Sequence, residues 1–386
     1  MTLCVFALIA SEFMPVSLLT PIAVDLQVTE GMAGRGIAIS GGFAVLTSLF
    51  ISTLAGRMNR KTLLLCLTGI MALSGAVIAL APSYLVYMIG RALIGIVVGG
   101  FWSMSAATAM RLVPAHQVQR ALAIFNGGNA LATVVAAPLG AWLGGTIGWR
   151  GAFFCLVPVA LAAFLWQWMS LPPMHIEPRK TGPGHAFRLF RNPVVTLGML
   201  GVGLFFMGQF TLFTYVRPFL ETVTQVDDSM VTMILLIIGV AGFIGTTLIG
   251  TVLKRGIYRT LIGTPVLMAA VAVSLIEFGN WSAAVVVLLG FWGLIATAAP
   301  VGWWVWVPRT FPQDAEAGGG LMVAVVQFSI ALGSTAGGLL FDHNGYKSML
   351  AASAAILLLA VLLISLAARA ETTRAYERCR LQGAAP

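Results

Sequence analysis

Charge is what this chain most lacks. Asp, Glu, Lys and Arg make up only 9% of its 386 residues, against roughly a quarter in an ordinary soluble domain, so a water-facing globular surface is out of reach. Acids are the scarcer sign, 13 against 22 Lys and Arg. Cys4, Cys66, Cys155 and Cys379 lie too far apart for a disulfide framework or metal-ligand spacing. His116, His175, His185 and His343 all fall between apolar runs and form no metal cluster, so no metal or other cofactor is expected. No nucleophile–base pair suggests an enzyme. Residues 56–62, GRMNRKT, resemble a phosphate loop, but Arg60 stands where a glycine belongs and no nucleotide domain surrounds it, which argues against an ATP-driven pump. Asn280, Trp281 and Ser282 make a very weak glycosylation sequon.

In place of charge there is hydrophobicity, 59% of residues with a mean hydropathy of +0.95. Apolar runs of about 20 residues are long enough to cross a bilayer, and they fall at 3–24, 36–56, 62–81, 85–109, 121–146, 152–171, 194–216, 229–253, 257–277, 281–307, 318–341 and 347–368. The pattern predicts an all-α membrane protein of twelve spans. Residues 172–193, rich in Pro and basic side chains, divide the spans six and six: an N-terminal bundle (1–171), a linker, a C-terminal bundle (194–370) and a tail (371–386).

The surplus of nine positive charges is placed by topology. Of the 22 basic residues, 17 fall in alternate connections and the tail: Arg57, Arg60, Lys61, Arg111, Arg120, Arg179, Lys180, Arg188, Arg191, Lys254, Arg255, Arg259, Arg309, Arg369, Arg374, Arg378 and Arg380. The other side holds Arg35, Arg150, Arg217 and Lys347, and Arg91 lies within a span. By the positive-inside rule both termini face the cytoplasm. Nucleic acid is therefore not an expected partner; the lipid bilayer is.

The halves also repeat. A shift of 197 residues lays Gly140, Gly148, Trp149 and Arg150 on Gly337, Gly345, Tyr346 and Lys347. Two related bundles around a site near the bilayer midplane is an alternating-access architecture, for which a monomer suffices.

Glu12 lies near the middle of the first span, where a charge costs roughly 2.5–3.5 kcal/mol on insertion scales. It needs a partner, a proton or water. Three readings arise: a proton carrier that titrates near neutral pH, a protonated structural acid bonded to a neighbouring helix, or a signal-peptide core, against which stand the acid itself and the lack of basic residues before the run. Arg91, about seven residues into the fourth span, is a candidate partner for Glu12, or else snorkels outward. It shares a face with Gly95, Val98, Trp102 and Ser105, where Gly95 and Gly99 also suit close helix packing. Trp303 and Trp306, three apart, are either an interfacial belt or a stacking surface for a planar base. Trp102, Ser105, Asn126, Asn129, Gln209, Phe213, Tyr215 and Gln327 are candidate substrate contacts, the amides serving equally as glue between helices.

Over essentially its whole length the chain resembles the major facilitator superfamily. The resemblance rests on Arg91 with Gly95 and Gly99, on Ala137, Pro138, Leu139 and Gly140 as in antiporters, and on Gly148, Trp149 and Arg150 followed by Phe153. Residues 54–61, LAGRMNRK, are similar to the family's gating loop, which implies that role for Arg57, Arg60 and Lys61, although Gly56 replaces an expected Asp and Asn59 a glycine. Residues 12–26, 99–114, 213–218 and 300–309 look like the proton-coupled exporters of drugs and purine ribonucleosides within that superfamily. This implies a bacterial inner-membrane protein that exchanges protons for an inosine- or guanosine-like solute, with Glu12 as proton carrier. Export of sugars or drugs, or import by symport, remain the alternatives.

Overall fold

The computed structural model describes residues 2–55, 58–111, 118–174, 189–310 and 315–381. Among them no strand occurs. The first half comprises α1 (Thr2–Ser17), α2 (Leu19–Asp25), α3 (Glu30–Ala55), α4 (Arg60–Ala79), α5 (Tyr84–Arg111) and α6 (Val118–Ser170). The second comprises α7 (Pro193–Phe213), α8 (Val216–Phe219), α9 (Asp228–Leu253), α10 (Ile257–Phe278), α11 (Ser282–Thr310) and α12 (Ala315–Leu381). Nine of these helices are long and apolar enough to cross a membrane, and the bent pair α1 and α2 makes a tenth. Helices α6 and α12, of 53 and 67 residues, each break at one non-helical glycine, Gly148 and Gly345. Each is two spans, and the predicted twelve result.

The repeat is deeper than the sequence shift suggests. Helices α9, α10, α11 and α12 begin at Asp228, Ile257, Ser282 and Ala315, each 197 or 198 residues after the starts of α3, α4, α5 and α6. The left-handed residues repeat too: Gln27 (φ 55°) with Gln225 (φ 57°), and Gly148 (φ 76°) with Gly345 (φ 77°). Packing follows. A methyl group built on Gly95 would lie 2.2 Å from Ser40 O, and one on Gly293 2.3 Å from Ile238 O. At the next crossing the small residue changes helix: Gly99 meets Ala44 O from α5, whereas Gly242 meets Thr297 from α9. Glycines thus set the approach of α3 to α5 and of α9 to α11.

At Gly148 nothing lies within 4 Å of an added methyl, so only backbone conformation opposes one. Gly148→Ala should lower thermal stability in detergent by the equivalent of about 1–3 kcal/mol, whereas Gly145→Ala, equally open but helical, should not. Equal melting temperatures for the two variants would contradict this.

The halves meet through α3 against the first part of α12, and through α9 against the first part of α6. Gly41 lies against Gln327 O, and its repeat equivalent Gly239 against Val134 O. One continuous apolar core joins both halves around the 26–29, 80–83, 225–227 and 279–281 connections and runs on through the second half to Leu261, Trp303 and Trp306. We call this the opposite end, since the basic connections lie at the other. Towards the basic end the first half has a separate cluster, including Leu8, Leu67, Met71, Ile94 and Phe101. Among the described residues the halves therefore share one core at the opposite end, while this first-half cluster towards the basic end stays separate from it.

Several expectations need correction. Helix α3 begins at Glu30 rather than residue 36, so Arg35 is helical. The first span is not straight: Pro15 cannot donate to the ladder, and α1 turns by 67° into α2. Arg217 is buried, not in an open connection.

Candidate functional site

Glu12 faces the other half of the protein, not lipid. Its Oε1 accepts from Gln327 Nε2 of α12 at 3.2 Å, and Gln327 is 6% exposed. One residue on, the Phe13 ring lies 6.2 Å from Phe210 and 6.3 Å from Phe213, both on α7. Phe210 and Phe213 pack edge to face at 6.0 Å. An acid, an amide and three aromatic rings therefore meet where α1 crosses α7 and α12. Gln209, one turn before Phe213, has a buried Oε1 with no hydrogen-bond partner among the described residues. Such a group favours any ligand that brings a donor.

Arg91 is fully buried, so it does not snorkel. Nor does it form an ion pair with Glu12. Its Nη1 donates to Ser11 O at 2.8 Å and its Nε to Gly36 O at 3.1 Å, tying α5 to α1 and α3 one residue from the acid. The direct partnership expected from sequence is thus replaced by a grip on Glu12's own backbone. A spanning helix has spare carbonyl lone pairs, and a cation buried nearby finds them.

Trp303 and Trp306 are each 1% exposed, edge to face at 5.7 Å, and belong to the second-half core. Trp306 Nε1 donates to Tyr258 Oη at 3.1 Å, and that hydroxyl donates to Glu371. Their faces are taken up by protein, which corrects both earlier readings. Trp303→Ala should therefore cost stability, about 3–5 kcal/mol for a buried Trp, and leave ligand affinity nearly unchanged; calorimetry against a melting curve checks this. Tyr215 is also buried, its hydroxyl donating to Ser334 O at 2.7 Å and its ring stacked on Phe341. It belongs to the seal at the opposite end.

Trp102 leans on the first-half cluster, and Asn129 is partly buried on α6. The side chains of Ser105 and Asn126, and all of Arg57, lie outside the described residues. Arg60 and Lys61 open α4, where Asn59 Oδ1 accepts from Lys61 N and Met174 N at 2.9 and 3.0 Å. Asn59 is thus a helix cap that also holds the chain after α6.

Sequence reasoning missed Phe13, Phe210, Arg217 and Asp342. The α1 break brings Ser17 O to Arg217 Nη1, while Arg217 Nε and Nη2 bind Glu221 and Asp228 at 2.6 Å each. An Arg beside the Tyr215 stretch was the available signal. Asp25 similarly pairs with Arg150, whose guanidinium lies 4.3 Å from the Trp149 ring centre. At the opposite end the first half is braced by the Arg150–Asp25 pair and the second by two pairs that share Arg217.

Comparison with known proteins bears on this arrangement. A transcription regulatory protein of Pseudomonas aeruginosa, OpdE, is 68% identical over 371 residues, covering 95% of this chain and 92% of that one. The purine ribonucleoside efflux pump NepI of Salmonella typhimurium is 38% identical over 362 residues, covering 94% and 91%. Among solved structures, a D-xylose–proton symporter matches with a TM-score of 0.76 at 18% identity, covering 94% and 95%. A bacterial homolog of the human lysosomal transporter Spinster, inward-facing and occupied, matches with a TM-score of 0.72 at 14% identity, covering 96% and 95%. At those identities the structures speak to the fold. The family model for the Major Facilitator Superfamily matches residues 1–322, and the chain belongs to that family.

Proposed function

We propose that this protein exports a purine-ribonucleoside-like solute in exchange for protons. The observation that carries the reading is Glu12, hydrogen-bonded across the halves to Gln327 beside three aromatic rings. A carboxyl group there can hand a proton to one side and receive it from the other as the halves rock. Of the rings, the partly buried Phe13 and Phe213 offer a surface for a planar base, at about 1–3 kcal/mol per stacked base; Gln209 and Gln327 offer an acceptor and a donor.

The basic connections face the cytoplasm in this reading, which places the fused end outside and opens the site inward. One proton entering per neutral solute leaving is sufficient. About 100 mV supplies about 2.3 kcal/mol and one pH unit about 1.4, together supporting a gradient of roughly 500-fold. Sugar or drug antiport and proton symport use the same parts. Adding solutes singly to everted vesicles while following pH decides among them: inosine or guanosine should release lumenal protons, and no response to any nucleoside would refute the substrate class.

The name of the Pseudomonas relative favours a second reading, a membrane receptor that binds a solute and reports it. Reconstituted protein that binds a nucleoside with no counterflow would establish that instead.

A further inference from the structure

We propose that Asp342, in the second half, latches the N-terminus of α3 in the first, and that this carboxylate holds the two halves shut at the opposite end. Helices α3 and α9 are repeat equivalents that both begin there. The start of a helix leaves N–H groups without intrahelical acceptors and favours negative charge. Helix α9 is served by the residue just before it: Asp227 Oδ1 accepts from Met230 N at 3.2 Å, and the Ser229 hydroxyl, with that N–H, holds the Asp227 carboxyl below its usual range.

In α3 the equivalent residue is Thr29, which accepts from Met32 N at 3.1 Å but has no charge to offer. Glu30 puts one charge in the first turn, but the carboxylate that bonds the helix start comes from across the interface. Thr29 Oγ1 donates to Asp342 Oδ2 at 2.6 Å, and Gly31 N donates to Asp342 Oδ1 at 3.0 Å. Gly31 makes room for it, since a methyl group there would lie 2.2 Å from Asp342 Oδ2. Tyr215 closes the neighbouring turn, where added methyls on Gly34 and Gly338 would lie 2.2 and 2.3 Å from its hydroxyl.

Separating α3 from α12 at this end leaves α3 with Glu30 but breaks the bonds of Thr29 and Gly31 to Asp342, whereas α9 keeps its capping carboxylate through the same motion. The latch therefore favours the state fused at the opposite end, whatever solute is carried. Hydrogen bonds to a charged group are strong enough to bias the two states by about tenfold or more.

The test uses spin labels at Ser83→Cys and Asn280→Cys, exposed positions in opposite-end connections of the two halves, in a full-length chain without its native cysteines. Pulsed electron resonance gives the ratio of short to long separations. Asp342→Ala and Gly31→Val should each move that ratio towards long separations by about tenfold, and Thr29→Val less. Asp227→Ala, which removes the cap that α9 carries itself, should leave the ratio unchanged. Parent-like distances in the Asp342 and Gly31 variants, or an equal shift in the Asp227 variant, would overturn the proposal. Should Asp342→Ala not fold, the Gly31 and Thr29 variants carry the same decision.

Discussion

Glu12→Gln should abolish solute accumulation driven by a pH gradient, while solute-for-solute counterflow persists at a reduced rate. The amide keeps the size of the acid and can still bond Gln327, so the contact between α1 and α12 survives. What it loses is the titrating proton. In the proposed cycle the whole roughly 500-fold gradient depends on that one group, so the variant should equilibrate its solute and do no more. Everted vesicles loaded at several pH values provide the measurement. A parental accumulation ratio in Glu12→Gln would remove this residue from the coupling step, and an equal loss of counterflow would make it a binding or structural residue instead.

Much of the architecture was legible because membrane physics leaves few alternatives. A bilayer admits helices of about 20 apolar residues, and most of the twelve runs read from the sequence end within a few residues of the observed helices. The repeat was visible in Gly148 and Gly345 because their backbone conformation (φ 76° and 77°) selects glycine in both halves. The start of α3 was misread because only apolar residues were counted, although Thr29 caps Met32 N and Glu30 follows it; the bond to Asp342, more than 300 residues away, is the part no local pattern encodes. Arg217 was assigned to an open connection for a similar reason: the carbonyl it binds is freed by a bend in another half of the chain.

At the site, cost was a better guide than chemical type. Glu12 and Arg91 were singled out because a charge inside a span is expensive, and both lie on or beside the contact between α1 and the rest of the bundle. The tryptophans were singled out by a capability, stacking, that a buried apolar ring shares with every core aromatic. Phe13 and Phe210, ordinary residues in an apolar run, acquire significance only when α1 and α7 are laid together. Aromatic spacing along one helix carries little information about which ring will face a cavity; that depends on the partner helix.

Arg91→Lys should lose at least tenfold in transport rate with folded yield retained, and Arg91→Ala should lose the fold's first half as well. The guanidinium spans two carbonyls on two helices, Ser11 O and Gly36 O, a forked reach that a single ammonium cannot reproduce. Lysine keeps the charge and satisfies one of them. The other is left buried without its donor, at about 1–3 kcal/mol, enough to let α1 shift by a fraction of a helical turn while the bundle stays assembled. Because Ser11 directly precedes Glu12, that shift falls on the bond to Gln327. Alanine removes both donors and leaves a void between α1, α3 and α5, where Gly95 and Gly99 hold the helices too close for neighbours to fill it. Melting temperature and transport should therefore separate: a folded protein about 1–3 kcal/mol less stable with slow transport in the lysine variant, and loss of both in the alanine variant. If Arg91→Lys transports at the parental rate, charge alone is what this position supplies, and the grip on Ser11 is incidental to coupling.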